Sequence, residues 1–387
     1  MTKKIRMGMV GGGEGAFIGA VHRMAAALDG QIELVAGAFS SDPARSRASG
    51  RALFLPEERC YGSHAEMFAA EAARPAAERI EFVSIVTPNF LHFPVAEAAL
   101  RHGFPVLCDK PLTLTLDEAV RLAALVRETG LPFGLTHNYT GYPMVKEARA
   151  RVAAGDLGAV RKVVAAYPQG WLAARIEAGG QKQADWRTDP ARAGLSCCMG
   201  DIGTHAENLA EYVTGLRLEA VCADLATFVP GRPLDDDGSV LLRFRGSARG
   251  VLHATQVAAG EENGLSLQVY GEKGSLHWRH EEPNSLTLLW PDRPREIVRA
   301  GAGPLSEAAR RHTRLPAGHP EGFLEAFANL YRNFAAALRA RAAGEAPDPA
   351  LDFPGVADGV RGMAFLEAVV ASSLGEKKWQ PVADPLS

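Results

Sequence analysis

Between positions 11 and 19 the chain carries Gly11, Gly12, Gly13, Gly15 and Gly19, directly after the apolar run Ile5 to Val10 and at the start of a helix-like run, Ile18 to Leu28. A glycine-rich join between a strand and a helix constrains the fold strongly. Without Cβ atoms the chain can turn tightly, and a pyrophosphate can approach the backbone at the positive N-terminus of the helix. Gly11 and Gly13 match the first two places of the GxGxxG fingerprint. Ala16 stands at the third, which also accepts alanine; if the turn runs longer, Gly19 takes that packing role instead. Phe17 and Ile18, at the helix start, are then expected beside the bound nucleotide. Glycine-rich turns also occur for purely structural reasons, but the strand before and the helix after favour a dinucleotide.

The pattern that follows agrees. Ile32 to Phe39, Glu81 to Val86, Pro105 to Cys108 and Leu131 to Leu135 read as strands. Helix-like runs at about 94–102 and 116–128 lie between the later ones, which implies a parallel sheet covered on both faces. After Tyr139 the pattern changes. Val145 to Ala153 reads as a helix and Val160 to Tyr167 as a strand, followed by a long polar stretch, Gln169 to Gly194, read as a functional or mobile loop. A helix over Ile202 to Val213 precedes strand-like runs at 218–228, 238–244, 248–257, 265–271 and 274–280, suited to a mostly antiparallel sheet. Helices over 323–342 and 356–373 close the chain. The expected fold is α/β: an N-terminal Rossmann-type parallel sheet over residues 1–137, then an α/β domain with a large, mainly antiparallel open sheet over 138–387. The closing helix is expected to pack back on the first domain.

Bulk properties narrow the function. A chain of 387 residues is comfortable for two domains. Its 47% hydrophobic and 22% charged residues are the balance of a soluble globular protein. A formal net charge of -3 leaves no footprint for nucleic acid, and no apolar run approaches the ~18 residues of a membrane span. The basic start, Met1 to Lys4, leads into a short run ending in glycines, so it reads as the approach to a first strand rather than a signal peptide. The five cysteines are odd in number and form no CxxC. This speaks against a disulfide framework or a zinc site and for a reducing cytoplasm. Cys197 and Cys198 read as packing residues near a helix start; no metal is expected.

Several segments carry chemistry. The second strand ends in Ser40 and Ser41, with Arg45 soon after, and not in the acidic residue that grips the ribose of NAD and repels the 2′-phosphate of NADP. Hydroxyls and a guanidinium suit a phosphate, so NADP is expected to be tolerated or preferred. Alternatively Ser41 or Asp42 caps the next helix and Arg45 faces water. Thr87-Pro88-Asn89 with His92, and Asp109-Lys110-Pro111, both follow strands, where ligands bind in open parallel sheets. Lys110 there can hydrogen-bond a substrate hydroxyl, although a lone lysine is more often a surface group. Asp201 and His205, four apart, share a helical face. A carboxylate beside an imidazole fixes its tautomer and raises its basicity; the other reading is a capping aspartate and a core histidine.

In this order the motifs resemble the glucose–fructose oxidoreductase / inositol dehydrogenase / MocA (Gfo/Idh/MocA) family. The resemblance rests on the glycine turn, a TPN-x-x-H segment at 87–92, an E-K-P-like tripeptide at 109–111 and a G-D-x-x-x-H helix start at 200–205. It extends to Trp186-Arg187, to Tyr270-Gly271-Glu272-Lys273-Gly274-Ser275 and to the closing helix. It implies that Lys110 is the catalytic lysine and that Asp201 and His205 line the substrate site with Tyr139, Trp186 and Arg187. Asn138, Asp109 and the 87–92 segment then face the nucleotide, and the large sheet joins subunits into dimers or tetramers. Asp109 stands where the family has Glu, Ser196-Cys197-Cys198-Met199 replaces an often glycine-rich stretch, and Thr140 stands where an arginine is often found. Trp171, Lys182, His253 and His319 are further candidates for shaping a polyol site. The function expected is hydride transfer between NAD(P) and a hydroxyl carbon of a sugar, inositol or related polyol. The alternatives are a glycoside-cleaving hydrolase with tightly held NAD and a non-catalytic nucleotide-binding subunit.

Overall fold

The computed structural model describes residues 3–386; Met1 and Thr2 of the basic start, and Ser387, lie outside the described residues. The chain divides into two compact units. One comprises residues up to Thr113, Asp117–Asn138 and Phe323–Gly359; the other comprises Leu114–Leu116, Tyr139–Gly322 and the residues from Val360 on.

In the first unit the order is β1 (Ile5–Gly11), α1 (Phe17–Leu28), β2 (Ile32–Ala38), α2 (Pro43–Ala52), α3 (His64–Ala73), β3 (Phe82–Val86), α4 (His92–Arg101), β4 (Val106–Cys108), α5 (Leu116–Thr129) and β5 (Phe133–Leu135). The strands form one parallel sheet in the order β2-β1-β3-β4-β5. The chain leaves β1 to one side and returns for β3 on the other, so the switch point of the sheet lies at the carboxyl ends of β1 and β3, where such folds bind ligands. Met7, Met9, Phe82, Val83 and Ile85 are all buried, as expected of strands covered on both faces. Helix α2 is the one that Ser41 or Asp42 was expected, as the alternative reading, to cap; α3 was not anticipated. Each is started by a side-chain cap, Asp42 accepting from the Arg45 amide and Ser63 from the Glu66 amide.

The expected boundary after residue 137 gave everything that follows to the second domain. Instead, α11 (Phe323–Ala343), numbered in chain order after the helices of the second unit below, belongs to the first unit. Its Phe327, Tyr331 and Phe334 pack in one core with Val21 and Ala25 of α1, Met7 of β1 and Phe82 of β3. The following segment is tied to β5, the Leu135 amide donating to the Pro354 carbonyl at 2.7 Å. The division then falls inside α12 (Val356–Leu374), between Gly359 and Val360. Periodicity reveals an amphipathic helix but not which sheet its apolar face will cover.

The second unit contains α6 (Pro143–Ala153), β6 (Val160–Pro168), α7 (Lys182–Arg187), α8 (Pro190–Ala193), α9 (Thr204–Thr214), β7 (Leu218–Ala226), β8 (Asp237–Phe244), β9 (Arg249–Thr255), β10 (Ser266–Gly271), β11 (Ser275–Arg279), β12 (Ser285–Leu289), β13 (Glu296–Arg299), α10 (Glu307–Arg311) and β14 (Trp379–Pro381). Its nine-stranded sheet runs β13-β12-β11-β10-β6-β9-β8-β7-β14. Strands β6 and β9 pair in parallel and the other neighbours antiparallel. Burial alternates along the strands. Val163, Ala165, Leu252, Val269 and Leu276 are buried, while Val164, Val251 and Gln268 on the opposite face are half-buried and Leu241 is exposed. Such alternation marks a sheet with one covered face.

Two expectations are corrected here. The Gln169 to Gly194 stretch is not a plain loop: it holds α7 and α8, capped by Gln181 and Asp189. They are too short and polar to show a helical period. The helix expected from Ile202 begins with a π-helical turn, Met199–Gly203, that runs into α9. Among the described residues no helix is long and apolar enough to cross a membrane.

Candidate active site

In the first unit the glycine turn is set by backbone contact. A Cβ on Gly19 would stand 2.2 Å from the Gly12 carbonyl oxygen, and one on Gly11 would stand 2.3 Å from the Val86 carbonyl oxygen. The packing glycine is therefore Gly19, and the turn is the longer form. Gly11 and Gly12 also sit at φ +81° and +67°, where side chains are strained. Helix α1 begins at Phe17 after Ala16, which provides no side-chain cap, and has no acidic residue in its first turn. Its first amides thus suit an anion. Phe17 is 71% exposed, whereas Ile18 packs partly against the core. Beyond β2, Asp42 does cap α2. Arg45 does not simply face water: its guanidinium donates to the Glu14 carbonyl at 3.4 Å, across the glycine turn. Ser40 Oγ accepts from the Asp42 amide, and Ser41 is exposed.

At the ends of β3 and β5, Thr87 Oγ1 and Asn138 Nδ2 are buried with no hydrogen-bond partner. Leaving such a group unpaired costs about 1–3 kcal/mol, so both look built for something bound. With the glycine turn and the uncapped helix start, they fit a dinucleotide. Pro88 leads into a short 3-10 turn, Asn89–Leu91. His92, expected to face the nucleotide, does not: its ring is fully buried. Its Nδ1 lies 2.6 Å from the Pro111 carbonyl and its Nε2 2.9 Å from the Thr87 carbonyl. It ties the Thr87 segment to the Lys110 segment rather than contacting a ligand.

Asp109 Oδ1 accepts from the Lys110 amide and from the Thr136 hydroxyl, both at 2.9 Å. Burial alone would raise its pKa, but His22, Lys110, His92 and the Thr136 hydrogen bond hold it below the ordinary value. Lys110 is half-buried and precedes a cis peptide bond to Pro111. Burial and the Lys110 charge bring His137 down to about 3, so this ring is neutral.

In the second unit the Asp201 carboxylate lies on the π-helical turn. Its Oδ2 accepts from Arg187 Nε at 3.2 Å and from Gln256 Nε2 at 2.9 Å. Neither that turn nor α9 is capped by Asp201, so the capping alternative falls away. The turn is pinned by Asp235, which accepts from the Ser196 hydroxyl and from the Cys197 and Met199 amides. Cys197 and Cys198 are buried, with thiols pushed up by burial, as fits packing residues. The buried His205 ring meets Tyr139 edge-on at 4.9 Å. The Tyr139 and Tyr167 hydroxyls are hydrogen-bonded to each other. Tyr167 donates to Asn263 Oδ1 at 2.7 Å, as does Gln169 Nε2, and Trp171 Nε1 donates to Gln169 Oε1 at 3.1 Å. The Arg187 guanidinium lies 4.2 Å over Trp186 and 5.9 Å from the Trp171 ring centre. The structure thus joins Tyr139 with His205, and Trp171, Trp186 and Arg187 with Asp201. Lys182 is exposed, His253 is on β9, and His319 lines a separate cleft with Glu281, Glu282 and Arg299.

Sequence reasoning missed Gln256, Asn263, Tyr167 and Gln169. It also missed His22, which lies on the apolar face of α1 with Val21, Ala25 and Ala26; a histidine on such a face was the available signal.

Residues 5–137 match the model of the oxidoreductase family with NAD-binding Rossmann fold, and residues 145–277 match that of the GFO/IDH/MocA C-terminal domain. The chain belongs to the Gfo/Idh/MocA oxidoreductase family. Family membership also shows in a relative from Bacillus subtilis, the uncharacterized oxidoreductase YfiI, 33% identical over 98% of this chain and 97% of that protein. A levoglucosan dehydrogenase from Pseudarthrobacter phenanthrenivorans is 27% identical over 74% of this chain and 77% of its own length. Among solved structures, an inositol dehydrogenase homolog from Azotobacter vinelandii complexed with NAD+ superimposes with a TM-score of 0.93 at 38% identity, covering 98% of each chain. A structure of an inositol dehydrogenase homolog from the same organism with NADH and myo-inositol gives 0.91 at 36% identity, again covering 98% of each chain. Like its family, this chain is an NAD-binding oxidoreductase with dehydrogenase or reductase activity.

Because the Gly12–Gly19 approach shapes the cofactor end, Gly19→Ala should cost about 1–3 kcal/mol, the usual penalty of overpacking. Calorimetry should show both a lower Tm and weaker NAD binding. An unchanged NAD Kd would mean that the turn does not hold the dinucleotide.

Proposed function

We propose that this enzyme oxidises a ring hydroxyl of an inositol-like polyol or a sugar, with Lys110, Asp201 and His205 carrying the proton chemistry. The observation that carries the reading is the Asp201 carboxylate held by Arg187 and Gln256, in a unit whose Tyr139, Tyr167, Gln169 and Asn263 present hydroxyls and amides. A polyol offers no charge to grip; it is recognised by donor–acceptor groups of this kind and by aromatic faces such as Trp171 and Trp186. The myo-inositol complex of the Azotobacter vinelandii protein adds support. The bound nicotinamide supplies the hydride acceptor. His205 takes the hydroxyl proton, Asp201 supports the imidazolium that results, and Lys110 hydrogen-bonds the oxygen as its charge develops. The family's motif order, not a distance, assigns Lys110 of one unit and His205 of the other to one reaction.

A panel of inositols and sugars with NAD and NADP, read by absorbance of the reduced cofactor, tests the substrate class; turnover of none of them would refute it. Lys110→Ala should keep NAD binding and cut turnover by about a hundredfold or more, the scale of general acid–base help. In His205→Ala the rise of oxidation rate with pH should vanish, because that rise reports loss of the imidazole proton. A folded variant with the wild-type profile would leave His205 a structural residue.

We also propose relaxed cofactor choice, because Arg45 lies across the glycine turn and no acidic side chain stands at the tip of β2 free to repel a 2′-phosphate. Arg45→Ala should lower kcat/KM for NADP more than for NAD. Equal losses would remove Arg45 from cofactor selection.

The half-exposed face of the nine-stranded sheet, with Leu241, Val251 and Val164, is proposed to meet a second copy of the chain in a dimer or tetramer. The five free cysteines favour a cytoplasmic setting. Analytical ultracentrifugation should find a multimer; a monomer at micromolar concentration would refute the assembly.

A further inference from the structure

A buried polar row lies in the first unit beneath Asp109, unused by the reading above. His22 of α1 is fully buried. Its Nδ1 lies 2.7 Å from the Tyr331 hydroxyl of α11, which lies 2.7 Å from Ser84 Oγ on β3. Its Nε2 stands 3.9 Å from Asp109 Oδ2 and has no hydrogen-bond partner. These groups interrupt a core of Val21, Phe82 and Phe327, where apolar side chains would avoid the cost of burying polar atoms.

The proton positions follow from the partners. Asp109 Oδ1 is already occupied by the Lys110 amide and the Thr136 hydroxyl, which leaves Oδ2 facing His22. Burial, against the pull of Asp109, lowers the His22 pKa and keeps the ring neutral. Were its single proton on Nδ1, Nε2 would turn a lone pair toward a carboxylate. The proton therefore sits on Nε2, Nδ1 accepts from Tyr331, and Tyr331 accepts from Ser84. Burial raises the Tyr331 phenol, so it stays a donor. Each O–H polarises the next along the row, which stops at His22, whose Nε2 faces the carboxylate across 3.9 Å.

We propose that His22 is a positioning residue for Lys110: with Tyr331 and Ser84 it aims one fixed N–H at Asp109 Oδ2, keeping that carboxylate turned and anionic beside the lysine. This rests on the reading of Lys110 as catalytic. The other titratable groups around Asp109 are Lys110, His92 of α4, His137 after β5, Cys108 of β4 and Tyr331. Burial lowers the pKa of both histidines and raises those of the thiol and the phenol. The His22 N–H is then the contribution that a substitution removes without touching the Lys110 charge.

The test is carboxyl 13C NMR of the full-length protein, with the Asp109 signal assigned through Asp109→Asn, alongside kcat and NAD Kd. His22→Phe should raise the Asp109 midpoint by about one pH unit. It should also lower kcat about tenfold, as loss of a supporting partner commonly does, with NAD Kd unchanged. His22→Gln, which keeps an N–H, should restore most of both. Tyr331→Phe should shift the midpoint the same way but less. A wild-type midpoint in His22→Phe overturns the proposal, as does a shifted midpoint with unchanged kcat. If His22→Phe does not fold, an unshifted midpoint in Tyr331→Phe overturns it equally. Lys110→Ala separates the two readings: retained turnover there would sink the role of Lys110, while a shifted Asp109 midpoint would still establish the His22 contact.

Discussion

The contact between Gly12 and Gly19, too close for any Cβ, governs the first unit. It lets α1 start almost on the end of β1, so the free amides of its first turn open at the switch point of the sheet. The same placement sends the next turn of α1 inward, carrying His22 toward Tyr331 and Asp109. It also presents Val21 and Ala25 to Phe327 and Phe334 of α11. One backbone approach thus fixes the cofactor cradle, the buried polar row and the docking of a helix more than three hundred residues away in sequence.

Much of this was legible. β1, β3 and β4 are short, mostly apolar runs, and β6 to β11 alternate, so either pattern gave strand positions to within a few residues. The failures share a cause. Helix α2 (PARSRASGRA) has almost no apolar face, and α7 and α8 span fewer than two turns each; all three are held by side-chain caps, which a search for periodicity does not see. β13 and β14 form the two edges of the sheet, where little burial is demanded of their residues. The place of α11 could not be read because its apolar stripe would suit either sheet.

Motif order is what singles out the proposed Lys110, Asp201 and His205, because each stands in a short run of unusual residues. Gln256 and Asn263 escaped because a single amide past the end of a strand has no spacing to betray it. Only the folded register brings Gln256 Nε2 to 2.9 Å from Asp201. His92 misled for the opposite reason. It does sit in a motif at a strand end, but its ring turns inward to two backbone carbonyls, and no sequence pattern distinguishes a histidine that binds a ligand from one that clamps the chain.

The two carboxylates beside the proposed chemistry are supported in different ways, and the difference sets what each can do. Asp201 is bound by a guanidinium, itself stacked on Trp186, and by an amide. These partners make its geometry stiff, which suits an orienting role. Asp109 is held at Oδ1 by a backbone amide and a hydroxyl and faces a neutral imidazole at Oδ2. These dipoles stabilise its charge without cancelling it. The adjoining Lys110 is among the charges that hold the Asp109 carboxyl below its ordinary pKa. The short Asp109 side chain keeps its carboxylate close to its own backbone, within reach of the Lys110 amide. Asp109 is thus held by an amide, a hydroxyl and the facing imidazole, whereas Asp201 is held by a paired guanidinium and an amide.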